Sequence, residues 1–444
     1  MPTSYLIKGA RIEGGDVADI LTSGSTIVEV GSKLSAPHAT VIEAEGLVAL
    51  PGFVDLHTHL REPGFEQSET VLTGTQAAAA GGFTAVFAMA NTNPVADTAG
   101  VVEQVQRLGD EAGYATVRPI GAVTRGLEGT QLAELGAMAN SRAQVRVFSD
   151  DGKCVHDALL MRRALEYVKT FNGVVAQHAQ EPRLTIDAQM NEGDVSARLG
   201  LAGWPAVAEE AIIARDVLLA EHVGSRLHIC HLSTAGSVDV IRWAKKRGIN
   251  VTAEVTPHHL LLTDARAESY DARFKVNPPL RREEDVMALR EALADGTIDI
   301  VATDHAPHPV EAKECEWSAA AFGMVGLESA LAVLQTTMVE TGLIGWADVA
   351  RVLSKTPARI GLLASQGLDI VAGSSANIVL VDPSITRVFG TDHLAGRSHN
   401  TPFGGIQLSG AVSTTLHNGY ATLLNGQLVE ADVVAQAAEA VRRG

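Results

Sequence analysis

Between about residues 50 and 350, eight β-rich runs alternate with amphipathic segments rich in Ala and Leu. The runs are Gly52–Leu56, Thr84–Met89, Thr116–Ile120, Val145–Phe148, Val174–Gln177, Arg226–Cys230, Asn250–Val255 and Ile298–Thr303. Helical spacing of apolar residues marks Gly74–Ala80, Val101–Glu111, Leu159–Lys169, Val207–Ala220, Ser237–Lys246 and Glu284–Ala294. Such alternation implies right-handed βαβ units and a parallel sheet. Eight strands over ~300 residues fit a closed (β/α)8 TIM barrel better than an open doubly wound sheet. No GxGxxG follows the first strand, so a dinucleotide-binding version has no support.

Both ends read differently. Tyr5-Leu-Ile-Lys8, Ser25–Val30 and Ala39–Ala44 alternate or are β-branched, and Gly14-Gly15 and Gly31-Ser32 punctuate them. Ala376–Pro383, Ala411–Leu416 and Ala421–Val429 behave alike, with Asn425-Gly426 as a hairpin signal. The expected architecture is α/β: a barrel over 51–360 and a small β-sandwich domain formed by both termini, 1–50 and 361–444.

Composition limits the partners. The 46% of hydrophobic residues suffice for a large core, and 20% charged residues argue against disorder. The 52 acidic against 35 basic residues give a net charge of −17, which disfavours nucleic acid or an anionic membrane as a partner. Cys154, Cys230 and Cys315 are odd in number and form no CxxC pair, which fits a reducing compartment. No signal peptide is visible, and the longest near-apolar run, Ala77–Ala90, is too short to span a bilayer. The expected location is cytoplasmic.

The strand ends carry the chemistry. The first run ends in Asp55-Leu-His57-Thr-His59, the fourth in Ser149-Asp-Asp-Gly152, and the fifth in Gln177-His178. The sixth ends in Cys230-His231 and the eighth in Thr303-Asp304-His305. In a barrel all carboxyl ends converge on one face, where active sites lie. The period-two spacing of His57 and His59 turns both imidazoles to the same side of an extended segment. Histidines with one or two carboxylates suit one or two borderline divalent ions, zinc foremost. Taken singly each piece has a plainer reading. An Asp-His pair after a strand is commonly a cap or turn, and Asp150-Asp151-Gly152 is most simply a turn.

Gly52-Phe-Val-Asp-Leu-His-Thr-His-Leu-Arg-Glu-Pro-Gly64 resembles the first-strand motif of the amidohydrolase superfamily in its dihydroorotase form. Asn91-Thr-Asn-Pro94, Phe148–Gly152, Val276–Arg281 and Ala302-Thr-Asp-His-Ala-Pro-His308 also resemble bacterial dihydroorotases of the long, class I type. The resemblance spans essentially the whole chain. It implies reversible hydrolysis of (S)-dihydroorotate to N-carbamoyl-L-aspartate in pyrimidine (UMP) synthesis. It further implies two Zn2+ ions per subunit, bridged by Asp151 and a hydroxide. By this resemblance His57, His59 and Asp304 hold one ion, His178 and His231 the other, and Asp304 is the general base and acid. Arg61, Asn91 and His308 would hold the substrate carboxylate, Asn277 the ring amide edge, and Phe322 and Gly323 would offer backbone contacts. Many hydantoinases and allantoinases bridge their metals with a carboxylated lysine; Val145–Ser149 contains none, and Lys153 reads as a surface residue.

The sequence departs from the family pattern at Met89-Ala90-Asn91, at Ala179-Gln180-Glu181 and in the 309–320 loop. The alternatives are a hydantoinase- or allantoinase-type enzyme, or an inactive structural partner of aspartate carbamoyltransferase. Retention of all six metal-ligating positions weighs against the last. The resemblance leaves a homodimer, and a complex of an active enzyme with that carbamoyltransferase, open.

Overall fold

The computed structural model describes residues 4–443. The chain begins with β1 (Tyr5–Ile12), β2 (Val17–Ser23), β3 (Thr26–Gly31), β4 (Thr40–Glu43) and β5 (Val48–Pro51). The barrel strands follow: β6 (Phe53–Thr58), β7 (Phe83–Ala88), β8 (Thr116–Pro119), β9 (Val147–Phe148) and β10 (Val174–Gln177). A short parallel ribbon, β11 (Met190–Asn191) with β12 (Gly203–Trp204), interrupts them. The barrel resumes with β13 (Arg226–Ile229), β14 (Val251–Val255) and β15 (Ile300–Val301). β16 (Ile378–Val388), β17 (Gln407–His417), β18 (Tyr420–Leu424) and β19 (Gln427–Leu428) complete the chain's strands.

The eight barrel strands are parallel and coincide with the eight runs read from the sequence. They form a three-stranded sheet, β6-β7-β8, and a five-stranded sheet, β9-β10-β13-β14-β15. Two isolated parallel bridges, Thr58 to His305 and Gly121 to Phe148, close the ring at the two seams. Parallel strands covered on both faces need apolar residues on both, which is why these runs do not alternate. Val54, Leu56, Ala85, Phe87, Ile120, Val174, Ala176 and Ile300 meet in one buried cluster. The opposite face of the strands packs under the surrounding helices with Phe53, Phe83, Val86, Val117, Phe148, Leu227 and Val301. Each such side chain contributes about 1.5–3 kcal/mol by leaving water.

Three of the helices start at a side-chain cap that the sequence supplies. Thr70 Oγ1 accepts from the Thr73 N–H at 3.1 Å ahead of Val71–Ala80. Asp157 accepts from Leu160 N–H at 2.8 Å ahead of Ala158–Lys169, and Thr234 from Ser237 N–H at 3.0 Å ahead of Ala235–Lys246. Each cap satisfies an amide that the first helical turn leaves unbonded.

Hydrogen bonds join all nine terminal strands in one sheet, in the order β19-β18-β17-β16-β5-β1-β2-β3, with β4 beside β1. The chain's two ends meet in the antiparallel pair β5–β16, where Leu50 faces Val379. Asn425 and Gly426 form the β18–β19 turn with φ of 50° and 76°, the left-handed pair a two-residue hairpin requires. Several elements were not read from the sequence, among them β2, β5, the ribbon β11–β12 and a C-terminal helix. Residues Ala431–Arg443 are helical, and Val434 and Ala438 pack on Tyr114 and Tyr420. The segment is Ala-rich, but its β-rich surroundings mask the signal. Among the described residues no helix is long and apolar enough to cross a membrane.

Candidate metal centre

The carboxyl ends of β6, β9, β10, β13 and β15 bring six predicted side chains together. His57, His59, Asp151 and Asp304 each direct one ligand atom into a group spanning no more than 4.8 Å, and so do Asp151, His178 and His231. All six are buried. Asp151 belongs to both groups and lies at their junction. Its Oδ1 is 3.2 Å from His57 Nε2, 3.3 Å from His178 Nδ1 and 3.4 Å from His231 Nε2, while Oδ2 is 3.2 Å from His59 Nε2. Asp304 Oδ1 is 3.3 Å from His57 Nε2 and 3.2 Å from His59 Nε2.

The outer nitrogens decide what the inner ones are. His57 Nδ1 lies 2.6 Å from Glu254 Oε1, His59 Nδ1 2.9 Å from Asn91 Oδ1, and His178 Nε2 2.9 Å from Gln180 Oε1. An oxygen acceptor on the outer nitrogen fixes the proton there and leaves a lone pair on the inner one. Three imidazole lone pairs then face two carboxylates. His57 Nε2 is buried without a hydrogen-bond donor or acceptor of its own, and His178 Nδ1 faces His231 Nε2 at 2.8 Å. Converging lone pairs and anions repel unless a cation lies among them. The donor set of four imidazoles and two carboxylates fits two divalent ions with nitrogen and oxygen ligands.

The electrostatics carry the same message. Burial disfavours charge on His57, yet Asp151, Asp304 and Glu254 outweigh it and raise its pKa well above the usual imidazole range. Burial pushes the Asp151 and Asp304 carboxyls up, and neighbouring histidines, His57 first, overcome this; Asp304 falls to about 2. The pocket is built for positive charge. Three of its residues also hold backbone conformations that cost energy: Arg61, His231 and Asp304 have φ of 62°, 32° and 47°.

The remaining predicted residues surround the centre. The Arg61 Nε–H donates to Pro307 O at 3.1 Å, leaving both terminal nitrogens available. Among the described residues no carboxylate lies within ion-pair distance of Arg61. Burial lowers its pKa to about 10, so it stays a cation at neutral pH. His308 Nε2 is 2.8 Å from Phe322 O and so carries the proton; Arg61 Nη2, 3.4 Å from the same nitrogen, is a contact between two donors. Burial and then Arg61 hold His308 neutral, with a pKa of about 3. Asn277 Nδ2–H donates to Gln180 Oε1 at 3.1 Å, and its Oδ1 is buried without a donor. Phe322 O is taken by His308, and Gly323 donates to Lys275 O at 2.9 Å. Lys153 is exposed, outside the cluster.

Sequence reasoning missed two groups. Glu254 stands in the apolar strand β14, and a lone acid in Val251-Thr-Ala-Glu-Val255 was the available signal. Gln180, read only as a departure from the family pattern, links His178 to Asn277 and Thr185. Asn91 also has a task beyond the one expected, since its carbonyl orients His59. By contrast Asp150 faces away and binds Val123, Thr124 and the Thr124 hydroxyl, a structural turn.

A parallel eight-stranded barrel with a buried group of His and Asp able to hold metal at its carboxyl face fits the hydrolases of the amidohydrolase type. The Dihydro-orotase-like family matches residues 46–237. A dihydroorotase of Leifsonia xyli subsp. xyli is 72% identical over 427 residues, covering 96% of this chain and 98% of that protein. The dihydroorotase of Mycobacterium tuberculosis is 55% identical, covering 96% and 99%. The chain belongs to the dihydroorotase family. In structure it is similar to the L-hydantoinase (dihydropyrimidinase) of Arthrobacter aurescens, with a TM-score of 0.86 at 25% identity, over 97% and 98% of the two chains. It is also similar to dihydropyrimidinase from Brevibacillus agri NCHU1002, with a TM-score of 0.82 at 25% identity and 96% coverage of each.

Proposed function

We propose that this chain is a cytoplasmic zinc enzyme that interconverts (S)-dihydroorotate and N-carbamoyl-L-aspartate in pyrimidine synthesis. The observation that carries this reading is one buried carboxylate, Asp151, shared by two groups of potential ligands beside an arginine with no carboxylate partner among the described residues. On this reading the barrel over 51–360 is the catalytic domain, and the terminal segments form the smaller one.

His57, His59 and Asp304 would hold one zinc ion, His178 and His231 the second, with Asp151 between them. Ions bound there would polarise the ring carbonyl and acidify a bound water. Asp304 is ionised at neutral pH, because its neighbours hold its pKa at about 2. Its carboxylate oxygen takes up the proton released during attack and returns it to the leaving amide nitrogen. In the reverse direction the same oxygen collects the proton as the ring closes. A ring amide leaves poorly without that proton, so Asp304 acts in both directions.

Arg61 matches the substrate's carboxylate. Its Nε is tied to the chain, so two parallel N–H groups remain for a bidentate grip. Asn91 and His308 flank this position, and Asn277 Oδ1 offers an acceptor to a ring N–H. The test is metal analysis of the purified protein together with turnover of dihydroorotate, hydantoin and allantoin. Two zinc ions per chain and turnover of dihydroorotate alone are expected. Rapid turnover of hydantoin with none of dihydroorotate would overturn the assignment.

A further inference from the structure

We propose that Glu254 is a positioning residue that orients both halves of the metal centre at once. This rests on the reading that the cluster holds two divalent ions. Glu254 is fully buried on β14, between Ala253 and Val255. One of its oxygens, Oε1, accepts from His57 Nδ1–H at 2.6 Å and from the backbone N–H of His231 at 3.1 Å. The other, Oε2, lies 2.9 Å from His228 Nε2, and His228 Nδ1 lies 2.8 Å from Thr252 Oγ1. A single carboxyl oxygen therefore touches one ligand residue from each group.

Packing alone gives no reason for an acid here. An apolar side chain of similar volume would fill the space without the cost of burying a charge. What the carboxylate adds is direction. On His57 it fixes the proton on Nδ1 and makes Nε2 a stronger donor toward a cation. On His231 it works through the backbone. That residue has φ of 32°, outside the favoured regions, and its amide would otherwise be free to turn. Holding the amide on Glu254 Oε1 keeps the imidazole aimed at Asp151 and His178, 3.4 Å and 2.8 Å away. His228 and Thr252 hold the carboxylate in turn.

Two ions depending on one oxygen should weaken together. In E254L the zinc affinity of both ions should fall about 10–100-fold, the range typical of lost outer-sphere partners. E254Q keeps an oxygen acceptor of the same shape and should recover most of that loss. The measurement is zinc competition against a chromogenic chelator, with thermal unfolding of the metal-free proteins alongside. Both affinities falling in E254L, with rescue in E254Q, supports the proposal. Loss confined to one ion, or wild-type affinity in E254L, overturns it. A lowered metal-free melting point with unchanged zinc affinity also overturns it, since Glu254 would then serve packing alone. Wild-type protein that takes up no zinc overturns the underlying reading, and the proposal with it. Where E254L does not fold, E254M, which also removes the oxygen acceptor, decides: a fall at both ions supports the proposal, and zinc affinity at both ions within twofold of wild type overturns it.

Discussion

Replacing Arg61 with Lys isolates what a planar guanidinium does for an anionic substrate. The side chain emerges from a left-handed backbone position and is pinned by Nε to Pro307 O at 3.1 Å. Lysine keeps the positive charge but loses this anchor and one of the two parallel donors. Each hydrogen bond to a charged partner is worth roughly 1.5–3 kcal/mol. Part of the loss is recovered because the ammonium still attracts the carboxylate, so a net cost of about 2–3 kcal/mol remains. At 1.4 kcal/mol per tenfold, KM for dihydroorotate rises about 30- to 150-fold. The control is dihydrouracil, the same ring without the carboxylate. Steady-state hydrolysis of both substrates, with zinc content checked, gives the answer. If the KM for dihydroorotate is unchanged, or both substrates suffer equally, Arg61 does not hold the carboxylate.

Asp304→Asn should reduce turnover in both directions by at least 10²-fold while the protein still folds, because the amide cannot accept the proton; forward and reverse rates, with circular dichroism, check this. Chelation should abolish activity and lower the melting temperature, and zinc should restore both; at 1,000 times Kd a bound ion stabilises by about 4 kcal/mol. Burial lowers the His417 pKa to about 4, so between that value and 6.5 the unfolded chain binds the extra proton. Stability from this group is complete above pH 6.5 and is lost as pH falls toward 4, by about 3 kcal/mol at 1.36 kcal/mol per pH unit. Denaturant titrations of His417→Phe should show a flatter dependence across that window; an unchanged slope refutes the assignment.

The barrel was legible because its strands are mostly buried on both faces and read as largely apolar runs, and five of the eight lead into a His or Asp. His57, His59, His178, His231, Asp151 and Asp304 stood out because strand ends carry functional groups in this architecture. Glu254 escaped because it lies inside its strand, and its importance comes from His57 on β6 and His231 after β13, 197 and 23 residues away. The tautomers were equally invisible, since they depend on Asn91, Gln180 and Glu254 meeting rings from other strands. The final helix, Ala431–Arg443, is decided by its docking on Tyr114 and Tyr420 rather than by a local cap.

The barrel's two seams have a consequence for how the molecule changes over evolutionary time. Thr58 pairs with His305 at one seam and Gly121 with Phe148 at the other, each by an isolated bridge. His57 and His59 come from the three-stranded sheet; Asp151, His178, His231 and Asp304 come from the five-stranded one. A cation gripped by both sets is a cross-link between sheets that the backbone joins sparsely. Substitutions at these ligands would then lose cohesion together with turnover. Drift toward a catalytically silent scaffold would first require a replacement clasp across the seams, such as an apolar plug or an added ion pair.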